Sequence, residues 1–198
     1  MKIVGVGCGP GMLTEEAITV IRSARLIVGS ERAINHAKSH ISGNAQVRII
    51  EDYSLLHQLP EDAIVLSTGD PMISGLGYLR GDITPGISSI QLGAAKTGIS
   101  LTNLFIITAH GRDHDKAIND CCEMHQKGRK TCIIADPQFP IITLCHRLSE
   151  LSAPARIIIC ENLGYPDERI DEGTSQNPPV SKGNMYILFV TNVVNLKE

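Results

Sequence analysis

Short apolar runs alternate with segments of helical period along the whole chain, and this alternation leaves few folds open. Residues 2–6 (KIVGV) read as a buried strand, followed by glycines and then by a helix over residues 14–24. Thr14 suits the N-cap, and Glu15 and Glu16 suit the first turn, where the helix dipole favours acids. Residues 26–28 form a second strand ended by Gly29, and Ser30 can cap a helix running to about His40. Residues 46–50 and 63–67 add strands, and residues 88–96 read as a helix closed by Gly98. The second half continues with strands at 104–108, 131–135, 155–160 and 185–190, and with helices at 115–127 and 141–151. Apolar strands separated by helices imply a parallel sheet covered on both faces. The domain boundary is expected near residues 101–103, giving an N-terminal α/β domain over 1–102 and a C-terminal one over 103–198. Residues 174–184 read as a polar loop.

Composition excludes several classes of function. The chain has 198 residues, 42% of them hydrophobic, enough to bury a core and exclude disorder. Its net charge of −3 argues against binding nucleic acid through bulk electrostatics. Aromatics make up 4% and Trp is absent, so base-stacking platforms are not expected. No apolar run approaches the ~20 residues that span a bilayer, and no signal peptide is visible, so a cytoplasmic protein without membrane partners is expected. The six cysteines (Cys8, Cys121, Cys122, Cys132, Cys145 and Cys160) contain no C-x-x-C pair, and they read as reduced thiols, several in the core.

Three loops carry the chemical information. Residues 5–11 (GVGCGPG) follow the first strand, and a strand that ends in glycines and enters a helix suits close backbone approach to a ligand. The dinucleotide pattern G-x-G-x-x-G fails, because Pro10 and Met12 stand where glycine is needed. A phosphate-binding P-loop fails as well, since no Gly-Lys-Ser/Thr follows. Residues 67–75 (STGDPMISG) lie at the carboxyl end of the 63–67 strand, where open α/β sheets bind ligands. Asp70 offers a carboxylate there, although Gly-Asp-Pro is also good turn chemistry. Residues 85–89 (PGISS) open a helix with free amides and hydroxyls.

In this order, GVGCGPGMLT, STGDPMISG and PGISS resemble the tetrapyrrole (corrin/porphyrin) methylases that use S-adenosylmethionine. Residues 28–32 (VGSER), 108–112 (TAHGR) and 161–170 (ENLGYPDERI) extend the resemblance over nearly the whole chain. The last string is similar to the branch that methylates C5 of a corrin precursor, cobalt-precorrin-7, in cobalamin biosynthesis. Fused members of that branch carry a second methylase domain for C15 and decarboxylation. This chain is too short for that domain, so a stand-alone C5 enzyme is expected, with a separate C15 enzyme as a candidate partner. Two rival readings are diphthine synthase, within the same superfamily, and a tetrapyrrole or nucleoside binding module without catalysis.

The resemblance implies a two-domain α/β fold, with a mostly parallel sheet in the first domain and a mixed sheet in the second. It also implies a homodimer and a cofactor cleft between the domains. S-adenosylmethionine would be bound by Cys8, Asp70, Ile73, Ser88 and Ser89, with Ala109, Leu163 and Met185 from the second domain. Pro10 and Gly11 would face the substrate. One departure stands out: the family usually has a longer segment between the Gly-Asp-Pro loop and Pro-Gly-Ile-Ser-Ser, which puts the strand count of the first domain in doubt.

Transfer of a methyl group from a sulfonium needs two reactants to be positioned, and neither a covalent nucleophile nor a protein-bound metal. A polycarboxylate substrate calls for local cations, and Arg32, His110 and Arg112 are the candidates. His110 is the candidate for accepting or relaying a proton after methylation, work that an imidazole can do. His36/His40 and His110/His114 have i, i+4 spacing, which on one helix can hold a metal. The first pair is expected on a solvated helix face and the second in a loop.

Overall fold

The computed structural model describes residues 1–192. The chain divides into two compact units, Met1–Leu92 and the part from Gly93 onward.

The first unit is built on a five-stranded sheet of β1 (Lys2–Gly5), β2 (Leu26–Gly29), β3 (Gln46–Ile49), β4 (Ile64–Ser67) and β5 (Asp82–Thr84). Their spatial order is β3-β2-β4-β1-β5, and every pairing is parallel. Alternation along the strands sends residues to both faces. Val4, Val6, Ile27, Ile64 and Leu66 pack under α1 (Glu15–Arg22) and α2 (Glu31–Ala37) through Ala17, Ile21 and Ala33. Ile3, Leu26, Val28 and Val65 face the other way, onto Leu56, Leu76 and Leu79. Both helices start as their sequences dictate. The Thr14 side chain accepts the Ala17 amide, and that of Ser30 accepts the Ala33 amide.

The shortened stretch after Asp70 keeps its strand. It holds a one-turn helix, α3 (Pro71–Ser74), and then β5, which pairs with β1 from Lys2↔Asp82 to Val4↔Thr84. The first sheet therefore has five strands, and the doubt about its strand count is resolved.

Helix α4 (Ser89–Thr97) spans the junction of the units and ends at Gly98, whose φ of +68° suits glycine. The second unit contains β6 (Leu104–Thr108), α5 (His114–Gln126), β7 (Lys130–Ile134), α6 (Ile141–Ser149), β8 (Ala155–Glu161), β9 (Arg169–Thr174) and β10 (Tyr186–Asn192). The sheet order is β6-β7-β10-β8-β9, with β6 and β7 parallel and the other neighbours antiparallel. Ile118 and Cys121 of α5, with Leu144 and Leu148 of α6, cover Ile133, Ile157, Ile159 and Leu188.

Four sequence expectations need correction or completion. Residues 174–184 are more than a polar loop, because Ser181, Lys182 and Gly183 close over the buried Glu161 carboxylate. Strand β9 lies where no apolar run marks it, since Arg169, Asp171 and Glu172 leave Ile170 as the one large apolar residue of this edge strand. His36 is buried rather than solvated, and α2 ends at Ala37, so His40 falls in a separate 3-10 turn. His110 lies in a turn as expected, but His114 is the first residue of α5.

Candidate functional site

The carboxyl ends of β1, β4 and β5 open into the three glycine loops, which are tied to one another through their backbones. The Val6 amide donates to Ser67 O at 2.9 Å, the Gly69 amide to Gly7 O at 2.9 Å, and the Cys8 amide to Ile87 O at 2.9 Å. Side chains would not fit at this junction. A Cβ on Gly5 would lie 2.7 Å from Gly69 O and 2.7 Å from Gly86 Cα, and one on Gly86 would overlap the Gly69 carbonyl. Gly7 and Gly69 also take φ values of +81° and +72°, which glycine adopts without strain.

Asp70 braces this junction. Its Oδ1 accepts the Met72 amide at 2.9 Å and so caps α3, and its Oδ2 accepts the Gly86 amide at 3.0 Å. A half-buried carboxylate retains lone pairs beyond these two bonds. Ile73 is half-buried on α3, while Pro10 and Gly11 are exposed at the tip of the first loop. Cys8 is half-buried on the same loop. Arg32 is exposed on the first turn of α2. Ser88 is buried and forms a capping box with Gln91. Its Oγ accepts the Gln91 amide at 3.2 Å, and its own amide donates to Gln91 Oε1 at 2.8 Å. Ser89, half-buried, opens α4.

The second unit gathers its candidates beyond one end of its sheet. Thr108 pairs with Ile134, Ile134 with Ile187, and Tyr186 with Glu161, so the segments that follow β6, β7 and β8 and the start of β10 share that end. Ala109, fully buried, donates its amide to Ile134 O at 2.9 Å, and His110 and Arg112 are exposed on the turn that follows. Leu163 is buried on the β8–β9 connection. The neighbouring Asn162 amide donates to Met185 O at 3.0 Å, so Leu163 and Met185 lie on adjoining segments.

Two acids that sequence reasoning did not single out hold this end in shape. Asp136 Oδ2 accepts the Gly111 amide at 3.1 Å and meets His114 Nε2 at 3.0 Å, while Oδ1 accepts the Gln138 amide at 3.0 Å. The Tyr186 hydroxyl donates to the Asp136 carbonyl at 3.0 Å. The His114 bond, with the amides, holds the Asp136 carboxyl below its ordinary pKa against some opposing desolvation. Burial alone would raise the Glu161 pKa. Arg169, the Gly183 and Lys182 amides and the Ser181 hydroxyl outweigh it and lower the value. The sequence signal for Asp136 is its Asp-Pro step after a strand, the same step as Asp70-Pro71. Among the described residues, no three His, Cys, Asp or Glu side chains are grouped to hold a metal ion.

The family model described as Tetrapyrrole (Corrin/Porphyrin) Methylases matches residues 2–179. The chain belongs to the tetrapyrrole methylases. It is 32% identical over 197 residues to a probable cobalt-precorrin-7 C(5)-methyltransferase of Methanocaldococcus jannaschii, covering 83% of this chain and 85% of that protein. Its fold matches the crystal structure of the cobalamin-biosynthesis precorrin-6Y methylase of Archaeoglobus fulgidus with a TM-score of 0.73, at 27% identity and 98% coverage of each chain. It also matches the uroporphyrin-III C-methyltransferase of Thermus thermophilus, solved in complex with S-adenosyl homocysteine, with a TM-score of 0.71. That match, at 15% identity, covers 96% of each chain and speaks for the fold alone.

The loop ends fit the methyl donor that this family uses. A ligand with an adenosine, an amino-acid group and a sulfonium needs close backbone approach with few bulky side chains. Gly5 and Gly86 pack the loops against one another at the carboxyl ends of β1 and β5, while a Cβ on Gly11 would meet no atom within 4 Å and one on Gly69 only Ser88 Cα at 3.8 Å, so the open backbone lies at those two glycines.

Proposed function

We propose that this tetrapyrrole methylase transfers a methyl group from S-adenosylmethionine to C5 of a corrin precursor, cobalt-precorrin-7, in cobalamin biosynthesis. The observation that carries the reading is the glycine junction braced by Asp70, in a chain similar over most of its length to a C5-methyltransferase. The donor-binding candidates in the first unit are Cys8, Asp70, Ile73, Ser88 and Ser89, and those in the second unit are Ala109, Leu163 and Met185. Ser88 engages the donor by releasing the Gln91 side chain that its amide and hydroxyl now hold.

When bound, S-adenosylmethionine supplies a methyl group already activated on a sulfonium. The protein's part is to bind, orient and exclude water, and well-oriented reactants can remove on the order of 7 kcal/mol or more from a barrier. Pro10 and Gly11 present the substrate side of the first loop, and Arg32 and Arg112 pair with its carboxylates. His110, exposed on the turn braced by Asp136, takes or relays the proton displaced from the ring. In the same reading the protein works in the cytoplasm as a homodimer.

The test is anaerobic incubation with cobalt-precorrin-7 and methyl-labelled donor, followed by mass analysis. A gain of one labelled methyl supports the reading. No gain, with intact donor and folded protein, removes it.

A further inference from the structure

His36 lies on the last turn of α2, is 8% exposed, and belongs to neither the donor set nor the substrate set above. Its Nδ1 lies 3.2 Å from Gly7 O. A carbonyl oxygen only accepts, so Nδ1 carries the proton in this contact. The same carbonyl accepts the Gly69 amide at 2.9 Å. Gly7 sits at φ +81°, one residue before Cys8 and three before Pro10. Its peptide thus fixes the direction in which the first loop leaves β1, and its two donors come from the loop after β4 and from α2.

We propose that His36 is a positioning residue for the donor loop: through Nδ1–H it holds the Gly7 carbonyl and so sets the orientation of the Cys8–Gly11 segment. The inference rests on the donor-site reading above. Burial lowers the imidazole's pKa; the Gly7 hydrogen bond works against that shift, and Arg32, one turn earlier, adds to it. The lowered pKa favours the neutral ring, and in that ring the bond to Gly7 selects the Nδ1–H tautomer. Geometry explains why a histidine serves here. Nδ1 is close to the ring's point of attachment, so a short buried side chain presents a donor to the loop.

Two measurements test this. The first needs no variant. Long-range ¹H–¹⁵N spectra of the intact protein near neutral pH should show His36 protonated at Nδ1 and bare at Nε2, and the opposite tautomer overturns the proposal. The second uses His36→Leu and His36→Asn, because asparagine places an amide nitrogen at the Nδ1 position. His36→Leu should weaken binding of S-adenosylhomocysteine and raise the donor KM by roughly three- to tenfold, the effect of one net hydrogen bond, with kcat within about twofold. His36→Asn should return both values to within about twofold of the parent. Equal binding by parent and His36→Leu protein, or no rescue by asparagine, overturns the role. If the parent protein itself binds neither the donor nor its product, the donor-site reading fails, which is a different result.

Discussion

Asp136 repeats in the second unit what Asp70 does in the first. Each follows an interior strand, precedes a proline, and takes the amide two residues on through Oδ1. Each then takes a glycine amide from a neighbouring loop through Oδ2, Gly86 for Asp70 and Gly111 for Asp136. In both units a carboxylate thus replaces backbone pairing where strands end and loops must keep a fixed shape. Truncating either acid leaves two amide donors without their acceptor, at about 1–3 kcal/mol. We predict that Asp70→Ala and Asp136→Ala both lower stability by this amount in urea titrations. Asp70→Ala should also weaken S-adenosylhomocysteine binding, measured by calorimetry. Unchanged urea midpoints would contradict the bracing role.

The glycine junction predicts a contrast between two substitutions. Gly86→Ala puts a Cβ into the Gly69 carbonyl and within 2.8 Å of Gly5 Cα, all of it backbone that cannot yield cheaply. Gly11→Ala meets no atom within 4 Å, and its φ of +75° imposes only the ordinary left-handed penalty. Gly86→Ala should cost about 3 kcal/mol, the upper range for overpacking, and abolish donor binding. Gly11→Ala should cost about 1 kcal/mol. Equal melting temperatures for the two variants would show that the three loops do not meet as described.

Glu161 gives a pH dependence of definite sign. Its folded-state pKa lies below the ordinary carboxyl value, so the native state binds fewer protons than the unfolded chain as pH falls through this region. The stability it contributes is therefore complete above the ordinary value of 4.5 and is lost as pH drops through the lower folded value. Asp136 and Glu168, also lowered, act in the same direction. Denaturant titrations from pH 6 to pH 3 should show stability falling more steeply in the parent than in Glu161→Gln. At pH 7 the variant should already be less stable by about 2–3 kcal/mol, because Arg169 Nη1 and the Lys182 and Gly183 amides lose a charged acceptor. Parallel curves would show that the Glu161 carboxylate is not held in its charged form.

These residues also show what the sequence discloses and what it conceals. The strands KIVGV, LIV and AIVLS are apolar runs in which no helical period competes, and the Thr14 and Ser30 caps mark the helices that follow. Three strands of the first sheet are legible for that reason, as are the glycine loops at its ends. Strand β9 is concealed because Arg169, Asp171 and Glu172 leave Ile170 as its one large apolar residue, and β5 because it has only three residues. His36 is concealed for a different reason. A histidine on a short polar helix has no sequence mark of burial, and its partner is a carbonyl 29 positions away. Glu161 likewise works on distant amides, which no local pattern announces, whereas Asp136 shows only its Asp-Pro step and not its bond to the Gly111 amide.

Cys8 allows the donor loop to be followed chemically. The other five cysteines are buried, and burial pushes the thiols of Cys121 and Cys160 up to about 12 and that of Cys145 up to about 11. Burial also raises Cys122 and Cys132. A thiol reacts as its thiolate, so at pH 8 these five are shielded twice, by access and by protonation. Half-buried Cys8 sits one residue after the Gly7 carbonyl. Native protein treated with a small alkylating reagent should gain one adduct, mapped to Cys8 by peptide mass analysis, and six after unfolding in urea. If the first loop holds the methyl donor, saturating S-adenosylhomocysteine should slow that single labelling event at least severalfold and leave the count in urea at six. Labelling at the same rate with and without the compound, in protein shown by calorimetry to have bound it, would place the donor away from Cys8 and the loop that carries it.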